Sequence, residues 1–140
     1  MSDILTYAEA VAECERIAPA SKWGYFEVPD VWLRHLVSFA HAVNASGLAI
    51  TMTTCKEKFG GLDIYYETRP MGGRHPRIDA LVDAAQDACG ATCSECGARG
   101  YLVSVRRWLS VLCAPCRGRR EAASVAAALA RPDTTGSGAA

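Results

Sequence analysis

The sequence predicts an α+β fold in which a small antiparallel hairpin packs with helices and a metal-binding module follows. Apolar residues recur at helical spacing in three segments, two alternating runs flank a Phe-Gly-Gly sequence, and two CxxC pairs enclose two further short apolar runs. We expect residues 1 to 91 to form the helical and hairpin core, residues 92 to 130 the module with its terminal helix, and residues 131 to 140 a disordered tail.

The first two helices are predicted from their start signals. Thr6 and Glu9 have the spacing of a capping box, which begins a helix over residues 7 to 18. Pro29 suits the first position of a second helix, because a proline there loses no intrahelical hydrogen bond. Two tryptophans in this part of the chain are expected in the core: Trp23 and Trp32.

The alternating runs, residues 48 to 54 and 62 to 67, are expected to pair as antiparallel strands. A third helix begins at His75 and Pro76, and Gly90 lies just past its end. It leads into the cysteines, between which YLVSV and WLSVL predict a second hairpin.

The segment KEKFGG between the first two strands has two interpretations. In the structural one, its glycines permit a turn, Phe59 folds back onto the core and the charged residues are solvated. In the functional one, the segment is a recognition loop in which Lys56 and Lys58 meet an acidic partner or phosphates and Phe59 adds contact area. The sequence leaves both open.

Four of the seven cysteines have the spacing of a zinc site. Cys93 and Cys96 form one CxxC pair, and Cys113 and Cys116 form a second one sixteen residues later. A thioredoxin-type redox motif would follow a strand in a βαβ unit, and unliganded buried thiols are the other alternative. Four cysteine ligands leave no position for water, so we expect one structural Zn²⁺. The order of knuckle, hairpin and helix resembles a treble clef finger, whose helix N-terminus would favour thiolates at the second pair.

Charge divides the chain although its formal net charge is zero. Residues 91 to 122 carry six arginines against two glutamates, a formal +4 that a zinc tetrathiolate would lower to about +2. These arginines are either a solvated surface or a nucleic-acid-binding patch with Tyr101 and Trp108 for stacking. They are Arg99, Arg106, Arg107, Arg117, Arg119 and Arg120.

The motifs KEKFGGLDIYY, CSECG and WLSVLCAPC together resemble a family of small bacterial and bacteriophage proteins. The resemblance covers residues 28 to 118 and implies a hairpin, a helix and a zinc module. Many members have a Cys and a His where this chain has Cys113 and Cys116, so one ligand departs from the family pattern. The family carries no activity to transfer.

These features predict a zinc-stabilised, non-enzymatic module that binds a host or phage protein, with nucleic-acid binding as the alternative. No GxSxG, P-loop, GxGxxG or HExxH motif occurs, and no histidine follows Cys93, as a nuclease of the HNH type would need. No apolar run spans a bilayer, and the cysteine pattern suits a reducing compartment. We therefore expect a cytoplasmic protein with no membrane partner.

Overall fold

The computed structural model describes residues 4–130. These residues form four α-helices and two two-stranded antiparallel sheets, which confirms the predicted α+β class. The tail expected over residues 131 to 140 lies outside the described part. In chain order the elements are α1 (Tyr7–Ile17), a 3-10 helix (Asp30–Trp32), α2 (Leu33–Ala45), β1 (Ala49–Lys58), β2 (Gly61–Arg69), α3 (Pro76–Gly90), β3 (Tyr101–Val105), β4 (Trp108–Leu112) and α4 (Ala114–Ala130).

The starts of α1 and α3 follow their predicted signals. The Thr6 hydroxyl accepts a hydrogen bond from the Glu9 N–H at 3.2 Å, and the Glu9 carboxylate accepts one from the Thr6 N–H at 2.9 Å. These two bonds make the expected capping box. Pro76 occupies the first turn of α3, and His75 caps it because its Nδ1 accepts the Arg77 N–H at 3.1 Å.

The start of α2 differs from the prediction. Pro29 has an extended ψ of 140°, and one 3-10 turn intervenes before the α-helix begins at Leu33. In this turn the Trp32 N–H donates to the Pro29 carbonyl at 2.9 Å, a bond between residues three apart. The tighter turn places Trp32 in the core with no exposed surface. The end of α3 lies one position later than predicted, because the helix includes Gly90.

The first hairpin is longer than predicted. β1 continues to Lys58, which pairs with Gly61, so Phe59 and Gly60 alone form the turn. Lys56 lies within the strand opposite Asp63. The loop therefore consists of the two turn residues alone. The charged residues before them belong to β1, because the backbone pairing between the strands continues as far as Lys58.

One hydrophobic core joins α1, α2, α3 and the first hairpin. It contains Trp23 and Trp32, which are 2% and 0% exposed, so both predicted core positions are confirmed. Val111 of β4 also belongs to this core and attaches the second hairpin to it. The opposite side of the second hairpin covers a much smaller buried cluster, formed by Cys93, Val105, Leu112 and Cys116.

The second hairpin and α4 have the predicted order. β3 and β4 pair from Tyr101 opposite Leu112 to Val105 opposite Trp108, and two arginines form the turn. Among residues 4–130, no helix is both long enough and apolar enough to cross a membrane.

Trp32 provides a test of the contact between the core and the cysteine module. Its Nε1 donates to the Thr92 carbonyl at 2.9 Å. We predict that Trp32→Phe lowers the free energy of unfolding by about 1 to 3 kcal/mol, because a buried carbonyl loses its donor and a cavity opens. Denaturant unfolding followed by circular dichroism measures the change. Trp108→Phe is the matched control, since Trp108 is 74% exposed; equal midpoints for Trp32→Phe and wild type would contradict the assigned contact.

Candidate metal centre

Four cysteine sulfurs from two separate turns converge at one point. All of them lie within 4.8 Å of one another, and they belong to Cys93, Cys96, Cys113 and Cys116. The Cys96 and Cys113 sulfurs are 3.6 Å apart. Tetrahedral zinc with Zn–S distances of about 2.3 Å would hold its sulfurs about 3.8 Å apart, so small side-chain adjustments close the site. The cluster has the donors and the size to bind one metal ion.

Backbone hydrogen bonds shape the first CxxC turn. The Gly97 N–H donates to the Cys93 carbonyl at 2.9 Å, and the Cys93 N–H donates to the Ala98 carbonyl at 2.7 Å. Gly97 has a φ of 80°, a conformation that glycine adopts without a Cβ clash. The Ser94 N–H donates to the Val111 carbonyl at 2.8 Å, which fastens the turn to β4.

The second pair lies at the start of α4. Cys113 directly precedes the helix, and Cys116 lies in its first turn. The Arg117 N–H donates to the Cys113 carbonyl at 2.9 Å. Cys116 and Cys93 are buried, Cys113 is half-buried and Cys96 is exposed. The site therefore lies at the surface with one side open to entering metal.

The cluster favours a thiolate at Cys93 before any metal binds. Burial opposes ionisation of this thiol, but the backbone N–H groups of Cys96, Cys113 and Glu95 outweigh it and bring its pKa to about 6. At Cys116, the hydrogen bond with Cys113 and burial raise the pKa to about 12. The neighbouring sulfurs thus oppose ionisation of Cys116, whereas the helix N-terminus next to it favours the thiolate. A divalent ion would supply the positive charge that lets all four ionise.

Two arginines of α4 belong to this centre. Arg119 Nη2 lies 2.9 Å from the Cys116 sulfur. Arg120 donates to the Ser110 hydroxyl at 2.7 Å and lies 3.2 Å from the Glu95 carboxylate. Four thiolates around a divalent ion leave a net charge of about −2, which a guanidinium at this distance partly offsets. Both arginine side chains therefore make contacts within the cysteine module.

The first CxxC turn also docks on α2. Two side chains hydrogen-bond to Thr92: Trp32 contacts its carbonyl, and the His35 Nε2 lies 2.9 Å from its hydroxyl. Arg34 Nη2 donates to the Gly97 carbonyl at 3.2 Å. The cysteine module is thus oriented against the core by polar contacts made through its first turn.

The other predicted arginines make contacts that differ from those of these two. Arg117 pairs with a glutamate one turn further along α4 at 2.7 Å. The Arg99 guanidinium lies 5.2 Å from the centroid of the Tyr101 ring. Arg106 and Arg107 form the turn of the second hairpin. The structure therefore places the six arginines in four different environments.

The turns of the two hairpins lie side by side. Gly60 is so close to the second hairpin that an added Cβ would be 2.6 Å from the Leu102 Cδ1 and 3.2 Å from the Leu109 carbonyl carbon. A groove of about 400 Å³ lies at this junction and is lined chiefly by Glu57, Lys58, Phe59, Arg107, Trp108 and Leu109. Lys56 does not line it. We call the exposed side chains here the hairpin-tip surface: Lys58, Phe59, Arg106, Arg107 and Trp108.

The turn residues on this surface have unfavourable backbone conformations. Phe59, Arg106 and Arg107 have φ values of 53°, 51° and 68°, where non-glycine residues lose about 1 to 2 kcal/mol each. Two-residue hairpin turns of this kind usually contain Asn and Gly. Phe59 is 76% exposed, so it does not fold back onto the core, contrary to the structural interpretation of its segment. Because the ring is exposed, the hydrophobic effect does not offset the free-energy cost of its left-handed backbone conformation.

Comparison with known proteins adds no relative. No family model, no curated protein and no solved structure matches the chain.

Sequence reasoning missed the contacts that join distant segments. The close approach of Gly60 to the second hairpin has no signal in the neighbouring sequence, because the residues in contact are more than forty positions apart. Gly100 is similar: a Cβ there would lie 2.8 Å from the Cys93 nitrogen and 3.0 Å from the Val111 Cγ1. A single glycine just before a strand was the available hint of close backbone approach.

Gly100 provides a test of how tightly the first CxxC turn is held. We predict that Gly100→Ala destabilises the protein by about 1 to 3 kcal/mol and weakens metal binding, because the new methyl group displaces the Cys93 backbone. Thermal unfolding and a competitive metal titration measure the two effects. Gly118→Ala is the control: it lies in α4 with open space around it and should stabilise by about 0.5 to 1 kcal/mol. A Gly100→Ala protein as stable as wild type would disprove the close packing.

The metal ligands should control the fold of the second hairpin. We predict that Cys93→Ser unfolds residues 92 to 130, because a four-thiolate zinc site contributes roughly 10 to 16 kcal/mol, comparable to the whole stability of a small domain. Amide NMR spectra and thermal melting report the loss. Cys55→Ala, which removes a buried thiol outside the cluster, should retain the hairpin signals. Unchanged melting of Cys93→Ser would rule out a supporting metal.

Proposed function

We propose that this chain is a zinc-stabilised, non-enzymatic interaction module that binds its partner through the hairpin-tip surface. One observation carries the proposal: the cysteine cluster and the surface share the second hairpin. Cys113 follows β4 directly, whereas the turn at the opposite end of the hairpin contributes Arg106, Arg107 and Trp108 to the surface. A metal ion that fixes the base of the hairpin therefore also fixes the position of these side chains.

Zinc is the metal we propose for this site. Four cysteine thiolates are a common structural donor set for Zn²⁺, and they fill its tetrahedral coordination so that no position remains for substrate or water. The order of CxxC turn, hairpin and helix supports a treble-clef-like module. A reducing compartment keeps such thiols available for metal, so the proposal includes a cytoplasmic location.

The surroundings of two histidines support a non-enzymatic role. His35 hydrogen-bonds to the Thr92 hydroxyl, and burial lowers its pKa. His75 caps α3 through its Nδ1. Both side chains thus have structural tasks, and the closed coordination of the cysteine site adds no reactive position.

Two partner classes follow from the sequence, a host or phage protein and a nucleic acid. Exposed aromatic and arginine side chains serve both kinds of interface. The hairpin-tip surface is where either partner would bind, because it combines the largest exposed rings of both hairpins with positive charge: Phe59 and Trp108 are 76% and 74% exposed.

A capture experiment in the native host tests this assignment. We predict that the zinc-loaded wild-type chain retains a partner on affinity purification after cross-linking, and that the double variant Phe59→Ala/Trp108→Ala loses at least about nine-tenths of it, as expected for two central contacts. Mass spectrometry and nucleic-acid staining quantify the captured material. Tyr65→Ala is the control, since this ring is 57% exposed on β2 and faces a different groove. Equal capture by the double variant would refute the surface.

A further inference from the structure

The strained residues of this protein gather in one place. Among residues 4–130, the non-glycine residues with left-handed φ are Phe59, Arg106 and Arg107, and all three lie in the two hairpin turns that meet beside the groove. Each turn carries a large side chain at a position where glycine or asparagine would adopt the left-handed conformation with less strain. Such concentration of strain is typical of binding sites, where the side chain serves a ligand rather than the fold.

The side chains at this site have two complementary properties. The rings of Phe59 and Trp108 lie largely in solvent, at 76% and 74% exposure. Lys58 Nζ lies over one face of the Phe59 ring, 5.7 Å from its centroid, which places a cation directly at the exposed ring. Planar apolar faces flanked by positive charge match a ligand that alternates flat rings with negative groups.

The positive charges here have no internal partner. No carboxylate of the described residues lies within ion-pair distance of Lys58, Arg106 or Arg107, whereas Arg117 and Arg120 on α4 are both paired. Glu57 is the one acid among the residues that line the groove, and the three cations of the surface outnumber it. The charge pattern therefore selects an anionic ligand.

We propose that the hairpin-tip surface binds single-stranded nucleic acid. Bases stack on Phe59 and Trp108, and backbone phosphates contact Lys58, Arg106 and Arg107. A duplex is excluded as the preferred ligand because its bases are stacked on each other and their faces cannot reach the rings. Aromatic and arginine side chains also occur at protein hot spots, so the three cations without an internal ion pair decide for a polyanion over a protein. The proposal rests on the proposed function, since zinc must hold the second hairpin in place.

Fluorescence anisotropy tests the proposal with the zinc-loaded full chain. The probes are a labelled oligothymidylate of about 12 nucleotides, a site size typical of small modules, and a blunt duplex of equal length. We expect binding of the single strand at low salt in preference to the duplex. Three phosphate contacts predict a slope of about −2 when log K is plotted against log salt concentration.

Variants separate stacking from charge. Phe59→Ala and Trp108→Ala should each weaken binding on the order of tenfold, because each removes one stacked base. The double variant Arg106→Ala/Arg107→Ala should reduce the magnitude of the salt slope by about 1.4. Tyr65→Ala and Lys22→Ala, which change an exposed ring and a cation elsewhere, should bind like wild type.

The outcomes distinguish this inference from the proposed function. Absence of single-strand binding by zinc-loaded wild type, equal binding of the duplex, or full binding by Trp108→Ala would each overturn the inference and leave the zinc-stabilised module intact. Tighter binding of a labelled polyglutamate peptide would overturn it in favour of an acidic protein partner. Zinc content and circular dichroism of every variant are measured in parallel, so loss of the module is recognised separately from loss of the ligand.

Discussion

The convergence of four cysteine sulfurs within 4.8 Å of one another determines where residues 92–130 lie. The buried cluster beneath the second hairpin contains Val105, Leu112 and two of the cysteines themselves, which is too little apolar surface to fold the segment alone. A metal ion bound by four thiolates would supply the missing free energy, and this is the contribution that the proposed function assigns to it. The positions of the second hairpin, of α4 and of the groove beside them all depend on that one constraint.

Polar contacts orient this centre relative to the core. The carbonyls of Thr92 and Gly97 accept hydrogen bonds from Trp32 and Arg34, so the first CxxC turn fits one place on α2. Val111 enters the main core from β4 and fixes the hairpin on its other side. The second hairpin is therefore held between the core and the cysteine cluster. In this arrangement the turn of the second hairpin lies beside the turn of the first.

Features specified by nearby residues were predictable from sequence. The capping box of Thr6, the cap at His75 and the two CxxC turns each depend on residues at most a few positions apart, and all form as expected. The start of α2 was misplaced because Pro29 suits both a helix and a 3-10 turn, and burial of Trp32 selects the latter. The groove was not predictable, since it arises where two distant turns meet. Its chemical components, aromatic and basic residues in both hairpins, were visible, but their juxtaposition was not.

The metal content of the protein tests the account most directly. Native mass spectrometry of chain purified without a metal-affinity tag, recorded before and after denaturation, gives the number of bound ions per chain. We expect one zinc ion per chain, retained by the folded protein and released on unfolding. A folded protein carrying well under one zinc per chain, with its second hairpin still ordered, would contradict it, because the hairpin and the surface it carries would then need another source of stability.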